Sequence, residues 1–169
     1  MNTFHPISTT EFDGAFKRIG KDWMLIGASD GTAQNIMTAS WGCIGVLWNK
    51  PVAVCFIRPE RHTYTLVEQA ERLSLSFFEG EDYRAALSYC GRVSGRDEDK
   101  FAGAALTPAQ SDNGVPYPAE ASIVLLCKKL YADDLKESAF LDSALLSNYA
   151  SGGYHRMYVC EIEQVLQKD

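Results

Sequence analysis

Positive charge, paired cysteines and clustered histidines are all scarce in this 169-residue chain. Sixteen Lys and Arg stand against 22 Asp and Glu, a net charge of −6 with a pI near 5.1. Non-specific nucleic-acid binding needs a basic footprint, so that class is excluded, while a small anion in a local basic pocket is not. Cys43, Cys55, Cys90, Cys127 and Cys160 form no Cys-x-x-Cys pair, which removes zinc-ribbon and dithiol redox motifs. All of them except Cys90 sit in apolar, strand-like runs. A free Cys there acts as a small buried hydrophobe, a usage suited to a reducing cytoplasm. His5, His62 and His155 show no metal-ligand spacing. No Gly-x-x-x-x-Gly-Lys loop and no Gly-x-Gly-x-x-Gly fingerprint occurs, which removes most nucleotide-hydrolysing and dinucleotide-fold enzymes. No apolar run approaches the roughly 20 residues of a membrane span. Met1–Phe16 lacks the basic-then-apolar order of a signal peptide. The expectation is a soluble, cytoplasmic protein with no membrane or nucleic-acid partner.

What is present reads as one domain over residues 1–169, with 46% hydrophobic and 22% charged residues. Met1–Phe16 is polar, broken by Pro6 and Gly14, and reads as an irregular arm. Trp23–Ala28, Cys43–Leu47 and Val52–Ile57 read as strands. Ser29-Asp30-Gly31 and Trp48-Asn49-Lys50-Pro51 supply the turns between them. Short strands on tight turns predict an antiparallel meander, hence a barrel or sandwich rather than a parallel sheet. The pattern then predicts a helix over His62–Arg72, a strand at Leu73–Phe78 and a short helix over Asp82–Tyr89 ending at Gly91. Ser94 and Asp97 fit a capping box opening a helix to about Ala105. Thr107–Pro118, with three prolines and a glycine, reads as a loop. Ala121–Tyr131 and Tyr154–Leu166 read as long strands, and Leu135–Tyr149 as partly helical. The fold class is mainly β with inserted helices.

Within that frame, Asn35-Ile36-Met37-Thr38-Ala39-Ser40-Trp41-Gly42 stands out. A strand that only filled a core would carry branched and aromatic residues. Small polar residues beside a Trp suit a flat ligand with polar edges, or else a close backbone approach. Arg58-Pro59-Glu60-Arg61-His62-Thr63-Tyr64 places two cations and a hydroxyl at a helix start. Free N–H groups and a partial positive charge there can hold a phosphate. Ser94-Gly95-Arg96-Asp97-Glu98-Asp99-Lys100 is a second such start, with Arg96 and Lys100 four apart, interleaved with three acids. Each segment by itself also fits a solvated, ion-paired helix end.

Taken in order, these segments resemble the flavin reductase-like family of FMN-binding split barrels, which includes flavoredoxin-like flavoproteins. The resemblance rests on Met37–Gly42, Leu47–Pro51, Arg58-Pro59 with Arg61 and Thr63-Tyr64, and Ser76-Phe77-Phe78. It continues through Tyr89-Cys90-Gly91, Ser94–Asp97 with Lys100, and His155 ahead of Met157-Tyr158 and Cys160–Ile162. It implies an antiparallel, Greek-key split β-barrel and a homodimer with FMN near the subunit interface. The backbone of Thr38, Ala39, Ser40 and Trp41 would lie along the isoalloxazine ring, with Asn35 and Met37 also among the cofactor-binding residues. Arg58, Thr63 and Lys100 would lead the phosphate contacts, with Ser94 and Arg96 close behind, and Pro59, Arg61, Tyr64 and Cys90 would also be cofactor-binding. His62, Cys43 and Glu98 depart from the family's usual residues; the first could alter packing beside the phosphate.

The resemblance implies an NAD(P)H-dependent flavin reductase, an oxidoreductase passing hydride from NADH or NADPH to flavin. Flavin supplies the redox chemistry, so no catalytic triad is required. His155 is the candidate for a catalytic residue facing the nicotinamide. The alternative is a non-enzymatic FMN electron-transfer protein working with a redox protein partner, and a third is a binding module without flavin.

Overall fold

The computed structural model describes residues 3–169; of the expected N-terminal arm, Met1 and Asn2 lie outside the described residues. The elements in chain order are β1 (Phe4–Ile7), α1 (Ala15–Lys17), β2 (Met24–Ser29), β3 (Gln34–Ala39), β4 (Gly42–Leu47) and β5 (Lys50–Ile57). There follow α2 (His62–Gln69), β6 (Arg72–Phe77), α3 (Arg84–Arg92), α4 (Lys100–Gly103), β7 (Pro108–Gln110) and β8 (Pro116–Pro118). β9 (Ile123–Asp134) and β10 (Arg156–Lys168) close the chain, with 3-10 turns at Glu137–Ala139 and Ser143–Tyr149 between them.

The main sheet runs β3-β2-β6-β9-β10-β5-β4, and β1 pairs with β10. Every pairing is antiparallel. β10 is long enough to serve β1, β5 and β9 at once, and its register against β9 slips between Val159 and Cys160 and between Ile162 and Gln164. Such bulges bend a strand and increase its twist. The sheet curls into a split barrel. Its terminal strands in the pairing order, β3 and β4, are consecutive in sequence and do not pair with each other. The expected meander is therefore corrected: β2–β3 and β4–β5 are two hairpins at opposite ends of the sheet order, joined through Ser40-Trp41.

Turn chemistry explains both hairpins. The Asp30 carboxylate accepts from the Thr32 and Ala33 N–H groups at 2.8 Å each, and Ser29 Oγ accepts from the Gly31 N–H at 3.0 Å. Gly27-Ala28-Ser29-Asp30-Gly31 spells a nucleophile-elbow pattern, but it forms a strand-to-strand turn, not the strand-to-helix turn an elbow needs. Trp48 and Asn49 hold φ of 53° and 58°, the paired positive values of a type I′ hairpin turn.

Two hydrophobic clusters flank the sheet. One gathers residues of β2, β3, β5, β6, β9, β10 and α2, including Ile26, Leu75, Leu125 and Tyr158. The other packs the opposite faces of β2, β3 and β9 beneath α3, α4 and β8, including Leu25, Ile36, Cys90, Phe101 and Val124, and β8 also covers β6. A strand covered on both faces shows no polar alternation. Hence Ser74 and Ser76, on the strand face opposite Leu73, Leu75 and Phe77, are fully buried, and Ser74 Oγ donates to the Pro116 carbonyl at 2.6 Å.

Three further local expectations are corrected. Gly91 does not stop α3, which continues to Arg92 because packing of Leu87 and Cys90 holds it. Ser94 does not cap a helix; its hydroxyl accepts from the Arg96 N–H in a tight turn. The cap is Asp99, which accepts from Phe101 and Ala102 and opens a single-turn α4. Residues 107–118 are not wholly loop: β7 and β8 pair, with Pro108 opposite Pro118. Proline enters such a two-stranded edge without disrupting a central ladder.

Candidate functional site

The crossing from β3 to β4 makes one wall of the site. The β2 ladder ends at Ala39 and the β5 ladder begins at Gly42. Among the described residues, Ser40 and Trp41 make no backbone hydrogen bond, and both line an open pocket of about 240 Å³. Backbone polar groups with no protein partner are available to a ligand. Met37, Thr38, Ala39, Phe56, Arg58, Arg61 and His155 complete the lining. The Thr38 hydroxyl donates to the Leu87 carbonyl of α3, which fixes this strand end against the helix.

Cations converge at one end of the pocket. Lys100 Nζ donates to the Cys90 carbonyl at 2.8 Å, and Arg61 donates to the same oxygen at 3.2 Å. Among the described residues neither forms an ion pair with a carboxylate; the nearby Glu60 pairs instead with Arg58 at 3.7 Å. Lys100 is only 3% exposed, and burial, with the nearby Arg61 charge, pulls its ammonium down to about 8. Burial likewise lowers Arg61. Arg96 donates to the Glu60 carbonyl at 3.1 Å. The N-terminus of α2 opens at Arg61 with no side-chain cap, leaving its first N–H groups to an outside acceptor. His62 Nδ1 is buried with no partner, and burial plus Arg96 and Lys100 push its pKa down.

The remaining expected residues do not all reach this cluster. Asn35 is buried and its amide donates to the Thr63 hydroxyl at 3.0 Å; Thr63 is fully buried. The turn at Ser94–Arg96 presses on that amide, since a Cβ on Gly95 would lie 2.4 Å from Asn35 Nδ2. Asn35, Gly95, Arg96 and Lys100 line an adjoining polar hollow. Tyr64 packs against the first core cluster, and Pro59 lies in the exposed turn between β5 and α2. Arg58 lines the pocket, but its guanidinium donates to the Asn148 carbonyl at 2.8 Å and Gly152 at 3.4 Å and lies over the Tyr149 ring. Of the departures, Cys43 is exposed on β4 and Glu98 accepts from the Tyr89 hydroxyl.

At the other end His155 packs against Trp41, with ring centroids 5.1 Å apart, and its Nδ1 lies 2.9 Å from the Tyr149 hydroxyl. Phe56 and Tyr149 were not legible as site residues. Phe56 looks like any apolar strand position, and Tyr149 sits in a polar-apolar mixture with no periodicity. Among the described residues no cluster of His, Cys, Asp or Glu could hold a metal ion.

A split antiparallel barrel with a free backbone edge on one wall and cations without carboxylate partners at its end defines a class of barrel proteins with an anion-ready pocket. The chain belongs to the flavin reductase like domain family, whose model matches residues 16–169. No curated protein matches it. Among solved structures it resembles an FMN-binding domain of flavin reductases-like enzyme from Shewanella baltica, with TM-score 0.71 and 15% identity, covering 98% of this chain and 78% of that one. Flavoredoxin of Desulfovibrio vulgaris gives TM-score 0.65 at 23% identity over 85% of this chain and 67% of that one. The NADH:FAD oxidoreductase of Streptomyces globisporus gives 0.64 at 14% over 86% and 75%.

Proposed function

We propose that the protein binds FMN and acts as an NAD(P)H-dependent flavin reductase. The observation that carries this reading is the convergence of Arg61 and Lys100 on the Cys90 carbonyl, with neither cation ion-paired to a carboxylate among the described residues. Burying cations against a neutral oxygen is costly and is offset when a dianionic phosphate arrives. The uncapped start of α2 and the orphaned His62 Nδ1 add to the same anion-ready surface. Arg61, Lys100 and Arg96 would hold the phosphate, and Thr38 to Trp41 would lie along the ring edge. Bound flavin supplies the hydride-accepting chemistry. The chain supplies a flat wall, an electropositive end and a half-buried imidazole at His155.

The pocket is open and smaller than the roughly 300–1,000 Å³ of a closed ligand site. A second copy of the chain would complete it. β4 and its hairpin expose Val46 (79%), Leu47 and Trp48 (56%), an unusual density of apolar surface beside Trp41. Holding Trp48 at positive φ costs roughly 1–2 kcal/mol on top of that exposure. A homodimer interface on this hairpin accounts for both. The free thiols suit a cytoplasmic setting.

The test is direct. The purified protein should bind FMN and show its absorbance bands, and should oxidise NADH or NADPH with added flavin. A protein that stays colourless and does not bind added FMN overturns the reading. Bound flavin reduced only by a redox protein places it instead with the electron carriers.

A further inference from the structure

Tyr149 is a buried phenol that meets the pocket-lining His155 and that the proposed chemistry has not used. It ends the 3-10 turn Ser143–Tyr149. Gly152 and Gly153, at φ of 79° and 71°, then fold the chain back so that His155 meets it. Its ring is clamped on several sides. Tyr154 stacks on it at 4.7 Å, Phe140 lies 5.7 Å away, and the Arg58 guanidinium sits over it at 5.3 Å. Its hydroxyl lies 2.9 Å from His155 Nδ1 and reaches no other acceptor among the described residues.

Hydrogen-bond accounting settles the direction of this contact. A phenol carries one proton and, at 7% exposure, has a single acceptor within reach. If His155 carried its proton on Nδ1, the phenol O–H would be left buried without an acceptor, a costly arrangement. The Tyr149 hydroxyl therefore donates to Nδ1, and the neutral ring keeps its proton on Nε2. Nε2 has no protein partner among the described residues, and the ring lines the pocket.

We propose that Tyr149 is a positioning residue that locks His155 as a neutral Nε2–H donor, aimed at a carbonyl or amide oxygen of the nicotinamide substrate. The inference rests on the flavin-reductase reading. The charged and titratable groups around the ring are Arg58, Glu60 and Tyr149. Burial and Arg58 hold His155 below its ordinary range, and Glu60 opposes them. The donor thus stays neutral through physiological pH.

The experiment pairs a structural readout with a kinetic one. Long-range proton–nitrogen NMR of the full-length protein, with His155 assigned through His155→Gln, should show the Nε2–H tautomer. Tyr149→Phe keeps the ring and removes the hydroxyl, and should give a mixture of tautomers. With NADH and FMN the same variant should lose about threefold to tenfold in kcat/KM, the scale of one oriented hydrogen bond. On a His155→Gln background it should lose nothing further. An Nδ1–H tautomer in the wild type, or no change in either readout on Tyr149→Phe, overturns the proposal. If the tautomer behaves as expected but the wild type neither binds flavin nor oxidises NADH, the functional reading falls, and with it the donor's target. That outcome is read separately from a failure of the Tyr149–His155 pair.

Discussion

Replacing Lys100 by methionine should stabilise the protein without ligand and weaken it as an FMN binder. The magnitude follows from the burial of the ammonium. Burial pulls its pKa from 10.5 down to about 8, which corresponds to a cost of about 3 kcal/mol for keeping it charged at pH 7. Methionine fills nearly the same volume without charge. The lost bond to the Cys90 carbonyl returns about 1 kcal/mol to the debit side, and Arg61 still donates to that oxygen. The net gain is about 2 kcal/mol, or roughly 4–8 °C in Tm for a chain of this size. The gain should shrink as pH rises from 8 toward 9.5. In that window the unfolded wild-type chain binds the Lys100 proton more than the folded one does, so wild-type stability rises with pH and the variant's does not. Differential scanning calorimetry at pH 7 and 9.5 checks this, and titration with FMN and riboflavin checks the ligand. A variant that melts lower at pH 7, or that loses riboflavin as heavily as FMN, refutes the assignment of Lys100 to the phosphate.

Other perturbations separate the remaining roles. Arg58→Ala should release Asn148 and Gly152, raise amide exchange across residues 148–155 and cost FMN and riboflavin similar factors. A loss confined to FMN would instead show that Arg58 leaves those carbonyls for the phosphate. Trp48→Gly should relieve the positive-φ strain, raise monomer stability by about 1 kcal/mol and weaken self-association in sedimentation experiments; undiminished association would remove the hairpin from the interface. Acidification should destabilise the fold below about pH 6.5. Both His62 and His155 are held below their ordinary range, chiefly by burial. The unfolded chain therefore binds protons there before the folded chain does. Urea titrations at pH 7.0 and 5.5 should show this loss, smaller in His155→Gln, and an equal loss in the variant counts against it.

Much of this architecture was legible where local chemistry dominates. Asp30 and Trp48-Asn49 announce their turns, because side-chain capping and backbone handedness are properties of a few adjacent residues. What was not legible depended on residues far apart. Gly91 looked like a helix stop, yet burial of Leu87 and Cys90 carries α3 past it. Ser94 and Asp99 are both good caps by composition. Only the folded geometry shows that Asp99 wins, placing Lys100 inside the protein rather than beside Arg96 on one helix face. The meander failed for a similar reason: adjacency in sequence says nothing about whether β3 closes on β4 or turns away.

That failure bears on the site itself. Had β3 and β4 paired, Ser40 and Trp41 would have been the two central residues of a tight hairpin turn, and the small side chains would have marked nothing more than turn geometry. Because the strands diverge, that backbone faces the pocket, and the same divergence sets Trp41 against His155 at the end opposite Arg61 and Lys100. The polar wall, the cation cluster and the imidazole are thus consequences of one topological choice. A substitution that stiffened the crossing, such as Ser40→Pro, removes an N–H from the wall while leaving both hairpins and the cation cluster intact. It should weaken FMN and riboflavin alike, the reverse of the selectivity expected at Lys100. If both variants gave the same pattern, ring and phosphate would not occupy the two ends assigned to them.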